Sequence, residues 1–371
     1  MKIGILTFHC AHNYGAMLQA YALCTYINNL GHQCEVIDYR PEYLYCYYDR
    51  INFTQLYHYF RKNDHDSKLK AFLKALKYYK RRCYKDKRWI LFNTFLTEKI
   101  KKSKEIYKNE EELTHTQYNI YICGSDQVWN TFYTKGIRPE FFCSFAKGKI
   151  NTKCITYAAS NGKSQIPNNE LDITKKLLIQ FQAISIREEG LKNFFEKNLN
   201  IPSTLVCDPV FLLNKSEWES LLIRPTYHNY LLIYTFDEDD TIYQVALEYA
   251  KKYKLHIVQI TDKKRKRKGI IQETILGPQD FLGYIFFADY ICTSSFHGTA
   301  FSIIFNKQFL CFPHKKFGER THTLLKSTNL LSRNIYSNNQ QLPKDIDYHT
   351  IEPLLNDFIN KSRNFLKENL Q

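Results

Sequence analysis

ADYICTSSFHGTAFSIIFN, residues 288–306, changes character twice in a short space. Tyr290, Ile291 and Cys292 make an apolar run of the buried-strand kind, and Thr293, Ser294 and Ser295 close it with polar side chains. His297-Gly298-Thr299 then leads into Ala300, Phe301, Ile303, Ile304 and Phe305, the apolar side of a helix. In an open α/β sheet, ligands bind beyond the carboxyl ends of strands, where the amides at a helix start favour an anion. His297 would stand there as an ionisable group, and Gly298 would let backbone approach a ligand closely. A helix cap with an incidental histidine fits the same spacing. The surrounding stretches have to decide between the two.

The same alternation of strand, polar turn and helix recurs on both sides of this stretch. At the start of the chain, Ile3 to Phe8 reads as a buried strand, His9 to Gly15 as a turn, and Ala16 to Leu30 as a helix stopped by Gly31. Glu35 to Tyr39 completes a βαβ unit. Its turn, N-Y-G-A-M-L-Q-A, lacks the G-x-G-x-x-G dinucleotide fingerprint. Asn13 and Gln19 either face a ligand there or cap and decorate the helix. Tyr118 to Cys123 is a third strand, and it ends in Gly124-Ser125-Asp126-Gln127-Val128-Trp129-Asn130, a polar and aromatic cluster suited to a saccharide or phosphorylated ligand. Cys154 to Ser160 and Ile184 to Ile186 are further strands. Arg187 follows the latter as an anion clamp or as the partner of a neighbouring carboxylate. A second α/β unit runs from Leu231 through the quoted stretch to Phe309–Phe312, with Lys315, Lys316 and Arg320 after it. The expected fold class is therefore α/β, in two domains. Residues 1–212 form the first, residues 229–345 the second, and a helix over 350–371 folds back across the junction.

A segment at about 41–104 interrupts the first domain with a different composition, rich in Tyr and Phe and then in Lys and Arg. Leu69, Phe72, Leu73, Leu76 and Tyr79 recur in it at helical spacing, with lysines elsewhere on the wheel. Such a helix lies on an anionic membrane or covers the sheet with its basic face solvated; the second reading is preferred for Leu69 to Tyr79 itself.

The chain has 371 residues, 44% of them hydrophobic, and a net charge of +15. That length suits two domains, and the composition excludes a disordered chain. Excess positive charge favours polyanions, anionic lipid surfaces or acidic small molecules. The basic run Lys263 to Lys268 falls between elements of a compact unit and reads as a solvated loop, so nucleic acid is not an expected partner. None of the eleven cysteines forms a C-x-x-C pair or a metal-ligand spacing, which suits a reducing cytoplasm and no metal. The apolar run after Met1-Lys2 is too short for a signal peptide, and no stretch is long enough to span a bilayer. The expectation is a cytoplasmic protein, peripheral to a membrane at most.

The residues resemble the polysaccharide pyruvyl transferase family over most of the chain. The carriers are N-Y-G-A-M-L-Q-A-Y-A-L (Asn13 to Leu23), G-S-D-Q-V-W-N (Gly124 to Asn130), Y-A-A-S (Tyr157 to Ser160), S-I-R-E (Ser185 to Glu188), C-D-P-V-F-L-L (Cys207 to Leu213), G-P-Q-D-F-L (Gly277 to Leu282) and the opening stretch. The resemblance implies two Rossmann-like domains facing a cleft that holds the active site, a fold like that of B-type glycosyltransferases, with phosphoenolpyruvate as co-substrate without a further cofactor, and a sugar of a bacterial surface glycan, or its lipid-linked precursor, as acceptor. It makes His297 the general acid, with Arg187, Ser295, Gly298 and Arg320 around the donor and Asn13, Gln19, Asp126, Trp129 and Asn130 around the acceptor. Many relatives carry Arg two positions before the motif His, where this chain has Ser295, which leaves Arg320 or Lys315 to supply that charge. The rival reading is a nucleotide-sugar-dependent glycosyltransferase of similar fold, since fold does not fix function.

Overall fold

Strands buried on both faces read as continuous apolar runs, and four of them are the centres of two sheets. The structure, a computed structural model, describes residues 1–45, 53–62, 64–80, 82–236, 240–262, 267–314, 318–337 and 340–371. Lys263 to Lys266 of the basic run, and Lys315 and Lys316, lie outside the described residues.

The first sheet holds β1 (Lys2–Leu6), β2 (Gln33–Tyr39), β3 (Lys102–Tyr107), β4 (Ile120–Cys123) and β5 (Lys153–Thr156), in the order β3-β2-β1-β4-β5. All pairs are parallel, with Ile3 opposite Cys34 on one side and Ile120 on the other. A short parallel pair, β6 (Ser185–Ile186) and β7 (Thr204–Leu205), continues from it through bridges at Ile155–Ala183 and Ala159–Ile186. The second sheet holds β8 (Tyr230–Tyr234), β9 (His256–Ile260), β10 (Ile270–Glu273), β11 (Tyr290–Thr293) and β12 (Gln308–Cys311), in the order β10-β9-β8-β11-β12. It too is entirely parallel. Each sheet thus reverses its winding next to its first strand, which is where such sheets open a crevice for ligands. The two are Rossmann-like units, and their crevices face one cleft.

Two edge strands, β3 and β10, have no counterpart in the sequence reading. Lys102, Lys104 and Glu105 put charge on β3, as edge strands do to discourage stray pairing, and this masks the apolar pattern. In the other direction, the strand expected over Cys154 to Ser160 stops at Thr156, because Ala158 adopts φ +53° and breaks the extended run.

Helix α1 (Tyr14–Asn29) follows β1, with Asn13 as its N-cap accepting from the Ala16 amide (3.2 Å). Gly31, at φ +89°, ends it. Four further helices, the one-turn Glu42–Tyr45 and then Phe53–Lys62, Lys68–Lys80 and Arg82–Glu98, occupy the described part of the aromatic and basic segment. The last of them sends Phe92, Phe95 and Leu96 into the main core. The second and third form a hairpin with a small core of its own: Leu56, Tyr59 and Phe60 against Ala71 and Ala75. The apolar stripe preferred as a cover for the sheet does not cover it. The alanine face allows the closest approach of the two helices and takes the inward position, leaving Leu69 and Leu73 69% and 54% exposed. The terminal helix, Tyr348–Asn369, touches both halves of the chain. Tyr348 donates to the Lys307 carbonyl (2.6 Å), while Ser362 accepts from the Cys207 amide (2.8 Å) and Arg363 donates to the Leu212 carbonyl (2.8 Å).

Candidate functional site

The cleft has a volume of ≈ 540 Å³ and is lined by residues that follow strands of both sheets. Asn13 lies in the connection after β1, Asp126 after β4, Phe236 after β8, and Ser295 and His297 after β11. Arg320 reaches it from the start of the helix Glu319–Ser327.

His297 is the second residue of the helix Phe296–Ile304. The turn that presents it is tied by a short series of bonds. Thr293 Oγ1 donates to the Tyr234 carbonyl (2.7 Å) and accepts from the Ser295 amide (3.0 Å), and Ser295 Oγ caps the helix by accepting from the Gly298 amide (3.3 Å). A side chain at Gly298 would run into the Thr293 hydroxyl, so this glycine serves the tight passage from strand to helix and does not line the cleft. Ser295 lines the cleft while its hydroxyl caps the helix.

Gly15 does for the other half what Gly298 does here. A Cβ on Gly15 would fall within the His297 ring, so the missing side chain lets the start of α1 stand directly against the imidazole. Tyr14 fixes that approach by stacking on Phe281 of the second half, with ring centroids 4.7 Å apart and 4° between planes. Two helix N-termini therefore meet at the cleft, and both favour negative charge.

Beneath His297 lies a buried group of charges. Asp208, just past β7, accepts from the Val210 amide (3.1 Å) and Ser125 Oγ (3.2 Å), and its Oδ2 also takes the Arg187 Nη1 donor. His297 Nε2 stands 3.6 Å from the same oxygen, an ion-pair distance when the ring is protonated and too long for a hydrogen bond. Burial works against the Asp208 charge, but Arg187 and His297 outweigh it and hold this carboxyl well below the usual range. Asp126, at φ +76°, lies 3.8 Å from Arg187 and 3.7 Å from Arg320. The two guanidinium groups also stand 4.9 and 5.4 Å from the Phe296 ring centre. Burial and the neighbouring Arg187 charge together push the Arg320 guanidinium below its ordinary value. Glu188, also buried, is pushed up by desolvation, which Arg187 and its Ser160 hydrogen bond only partly offset. Arg187 Nε and Nη2, Arg320 Nε and His297 Nε2 are buried without a hydrogen-bond partner.

The structure thus brings His297, Ser295, Arg320, Asp126 and Asn13 to the cleft wall. Arg187 sits directly behind, paired with Asp208. Three expected acceptor residues are elsewhere. Gln19 is fully buried and donates to Thr7 Oγ1 (3.0 Å) and to the Ala16 carbonyl (2.9 Å). Trp129 donates to the Phe141 carbonyl (3.0 Å) and stacks on Phe142, and Asn130 caps the short helix Thr131–Thr134 by accepting from the Phe132 amide (3.1 Å). In each case the side chain satisfies backbone or packing needs within its own half. Sequence reasoning missed Asp208, Gly15 and Phe296 as parts of the site; all three lie within quoted motifs, and that was their only signal.

Among solved structures, the chain is similar to UGT89C1 of Arabidopsis thaliana complexed with quercetin, at 12% identity and TM-score 0.46, covering 99% of this chain and 93% of that one. It is also similar to UDP-N-acetylglucosamine 2-epimerase from Rickettsia bellii (11%, TM-score 0.47, 99% and 95% covered). A third is the glycosyltransferase SsfS6 of Streptomyces sp. SF2575 (11%, TM-score 0.39, 100% and 96% covered). Likenesses of this size carry no argument about donor or acceptor, and the two-sheet architecture stands on the strand pairing itself. No curated protein matches the sequence. The family model for polysaccharide pyruvyl transferase matches residues 13–316.

Proposed function

The chain belongs to the polysaccharide pyruvyl transferase family, and from that premise we propose that it transfers pyruvate from phosphoenolpyruvate to a sugar of a bacterial surface polysaccharide, as a cyclic ketal. The observation that carries the reading is the set of buried guanidinium N–H groups on Arg187 and Arg320, beside His297, that have no hydrogen-bond partner. A ligand with both a carboxylate and a phosphate would satisfy them, and the two converging helix starts add to that preference.

In this reading His297, charged and steadied across 3.6 Å by ionised Asp208, gives its proton to the methylene carbon of the enol. The neighbouring carbon becomes oxocarbenium-like, a sugar hydroxyl adds to it, and that hydroxyl's proton restores His297. Phosphate then leaves, a second hydroxyl closes the ketal, and its proton departs with the phosphate. Arg320, with Arg187 behind it, bears the donor's negative charge throughout and takes the place of the arginine that Ser295 lacks. We place the acceptor on a lipid-linked precursor at the inner membrane surface, a reading supported by the basic hairpin at the cleft mouth.

The test offers the protein phosphoenolpyruvate with candidate oligosaccharides and follows phosphate release together with pyruvate on the sugar. Phosphoenolpyruvate should raise the melting temperature and nucleotide sugars should not. The reverse pattern would overturn the proposal in favour of a glycosyltransferase.

A further inference from the structure

Leu69, Phe72, Leu73 and Leu76 follow the spacing i, i+3, i+4, i+7 and so share one side of the helix Lys68–Lys80. The helix meets the hairpin core with Ala71 and Ala75, and of the stripe Phe72 touches the hairpin at its edge, against the Phe53 ring (centroids 5.4 Å apart), while Leu69 and Leu73 point outward. Leu69 is 69% exposed, Leu73 54% and Phe72 45%, while Leu76 is half-buried. A soluble chain gains nothing by turning such a stripe outward, and clustered exposure of this kind marks a contact surface.

The flanks say what kind of contact. On the helical wheel Lys70 and Lys77 border the stripe on one side and Lys68 borders it on the other, all three exposed. Lys70 is paired to Asp66 (2.6 Å) yet keeps 65% of its side chain in solvent. Lys74, paired to Asp64 (3.0 Å), faces the hairpin and not the stripe. An apolar ridge between lysines on a chain of net charge +15 complements a surface with an anionic rim and an apolar interior. No helix among the described residues is long and apolar enough to cross a membrane, so such a contact lies along the interface.

The position fits a purpose. Lys135 lines the cleft, and its ammonium donates to Tyr59 (2.8 Å) and contacts Asp64 (3.3 Å) of the hairpin. The hairpin is therefore fastened at the cleft mouth, beside the exposed rings of Phe132 and Tyr133.

We propose that the Leu69–Phe72–Leu73 ridge and its lysines dock the protein on an anionic lipid surface, so that the cleft mouth opens toward acceptors held there. Only the stated purpose depends on the pyruvyl-transfer reading; docking itself needs neither donor nor acceptor.

The test is sedimentation of the full chain with vesicles of phosphatidylcholine mixed with phosphatidylglycerol, and with phosphatidylcholine alone. Binding is expected to the anionic vesicles and to weaken with salt. Leu69→Gln, Phe72→Gln and Leu73→Gln together should leave the chain folded, with only a small fall in melting temperature from the lost Phe53–Phe72 contact, and cut partitioning by roughly tenfold per side chain. Lys68→Gln with Lys77→Gln should cut it by about fivefold per lysine. Absence of binding by the unaltered chain, equal binding to both vesicle types, or full binding by the triple variant overturns the proposal. A dimer in light scattering that the triple variant abolishes, without vesicle binding, overturns it in favour of a second copy on this ridge. Because no substrate is present, none of these outcomes depends on whether phosphoenolpyruvate is the donor.

Discussion

Gly15→Ala sets two effects of opposite sign against each other, and the structure says which wins. Alanine in place of glycine in a helix is worth about 1 kcal/mol, largely by narrowing the unfolded ensemble. Gly15 is buried in the first turn of α1 and lacks the positive φ that would forbid alanine. On propensity alone the variant should be more stable. The new methyl group, however, would occupy the space of the His297 ring. Neither side yields cheaply: the Tyr14–Phe281 stack holds the start of α1, and the Ser295 cap with its Thr293 bonds holds the turn before His297. Overpacking of this kind costs about 1–3 kcal/mol. The expected net effect is a loss of up to about 2 kcal/mol in the native background. With His297→Ala already made, the space is vacant, and Gly15→Ala should gain up to about 1 kcal/mol. The coupling between the positions is then about 1–3 kcal/mol, above the scatter of independent sites. Urea unfolding of the single and double variants, followed by the fluorescence of the three tryptophans, measures it. Coupling below about 0.5 kcal/mol would mean that the ring does not lie over Gly15, and the meeting of the two halves at His297 would be refuted. On the proposed role of His297 as the acid, Gly15→Ala should also lose turnover to the level of His297→Ala.

His297→Gln keeps a hydrogen-bond donor but cannot deliver a proton, so turnover should fall by about 10²–10⁴-fold with phosphoenolpyruvate still protecting the fold; normal turnover would assign the acid elsewhere. Arg187→Lys keeps the charge but loses the fork that reaches Asp208, so KM for phosphoenolpyruvate should rise sharply, and unchanged kinetics would make the residue a structural partner only. Asp208→Asn removes the carboxylate in direct contact with Arg187 and leaves that buried charge only Asp126 at 3.8 Å, which should cost up to about 3–5 kcal/mol at neutral pH. Because the Asp208 pKa is depressed in the folded chain, its stabilisation is present above the ordinary carboxylate value and is lost as pH falls below about 4. Urea unfolding at neutral and acidic pH should therefore show the two proteins converging on the acid side; a constant difference would contradict the depressed value.

The sequence determined the alternation of buried strands and helices, and with it two parallel units whose polar turns follow strand ends. That much is local, because strand burial, capping and helix periodicity are written in neighbouring residues: Tyr290 to Cys292 for β11, Ser295 for its cap, Asn13 for the start of α1. The edge strands β3 and β10 escaped the reading because an edge is half solvated, and charge there obscures the alternation. What only the tertiary structure decided is which polar residues face the cleft. Gln19, Trp129 and Asn130 resemble ligand-facing residues by type and spacing, yet each is consumed within its own half by a backbone partner or a ring. Asp208, conversely, stood in the sequence only as part of the C-D-P-V-F-L-L motif, near the expected end of the first domain, and it is the carboxylate beneath His297. The outward turn of Leu69 and Leu73 was equally out of reach, since the periodicity of a helix names its faces and not the one its neighbour will take. Choosing among them depends on contacts between residues far apart in the chain, Gly15 against His297 and Ala71 against Phe60, and a pattern read along one strand or helix at a time carries no record of them.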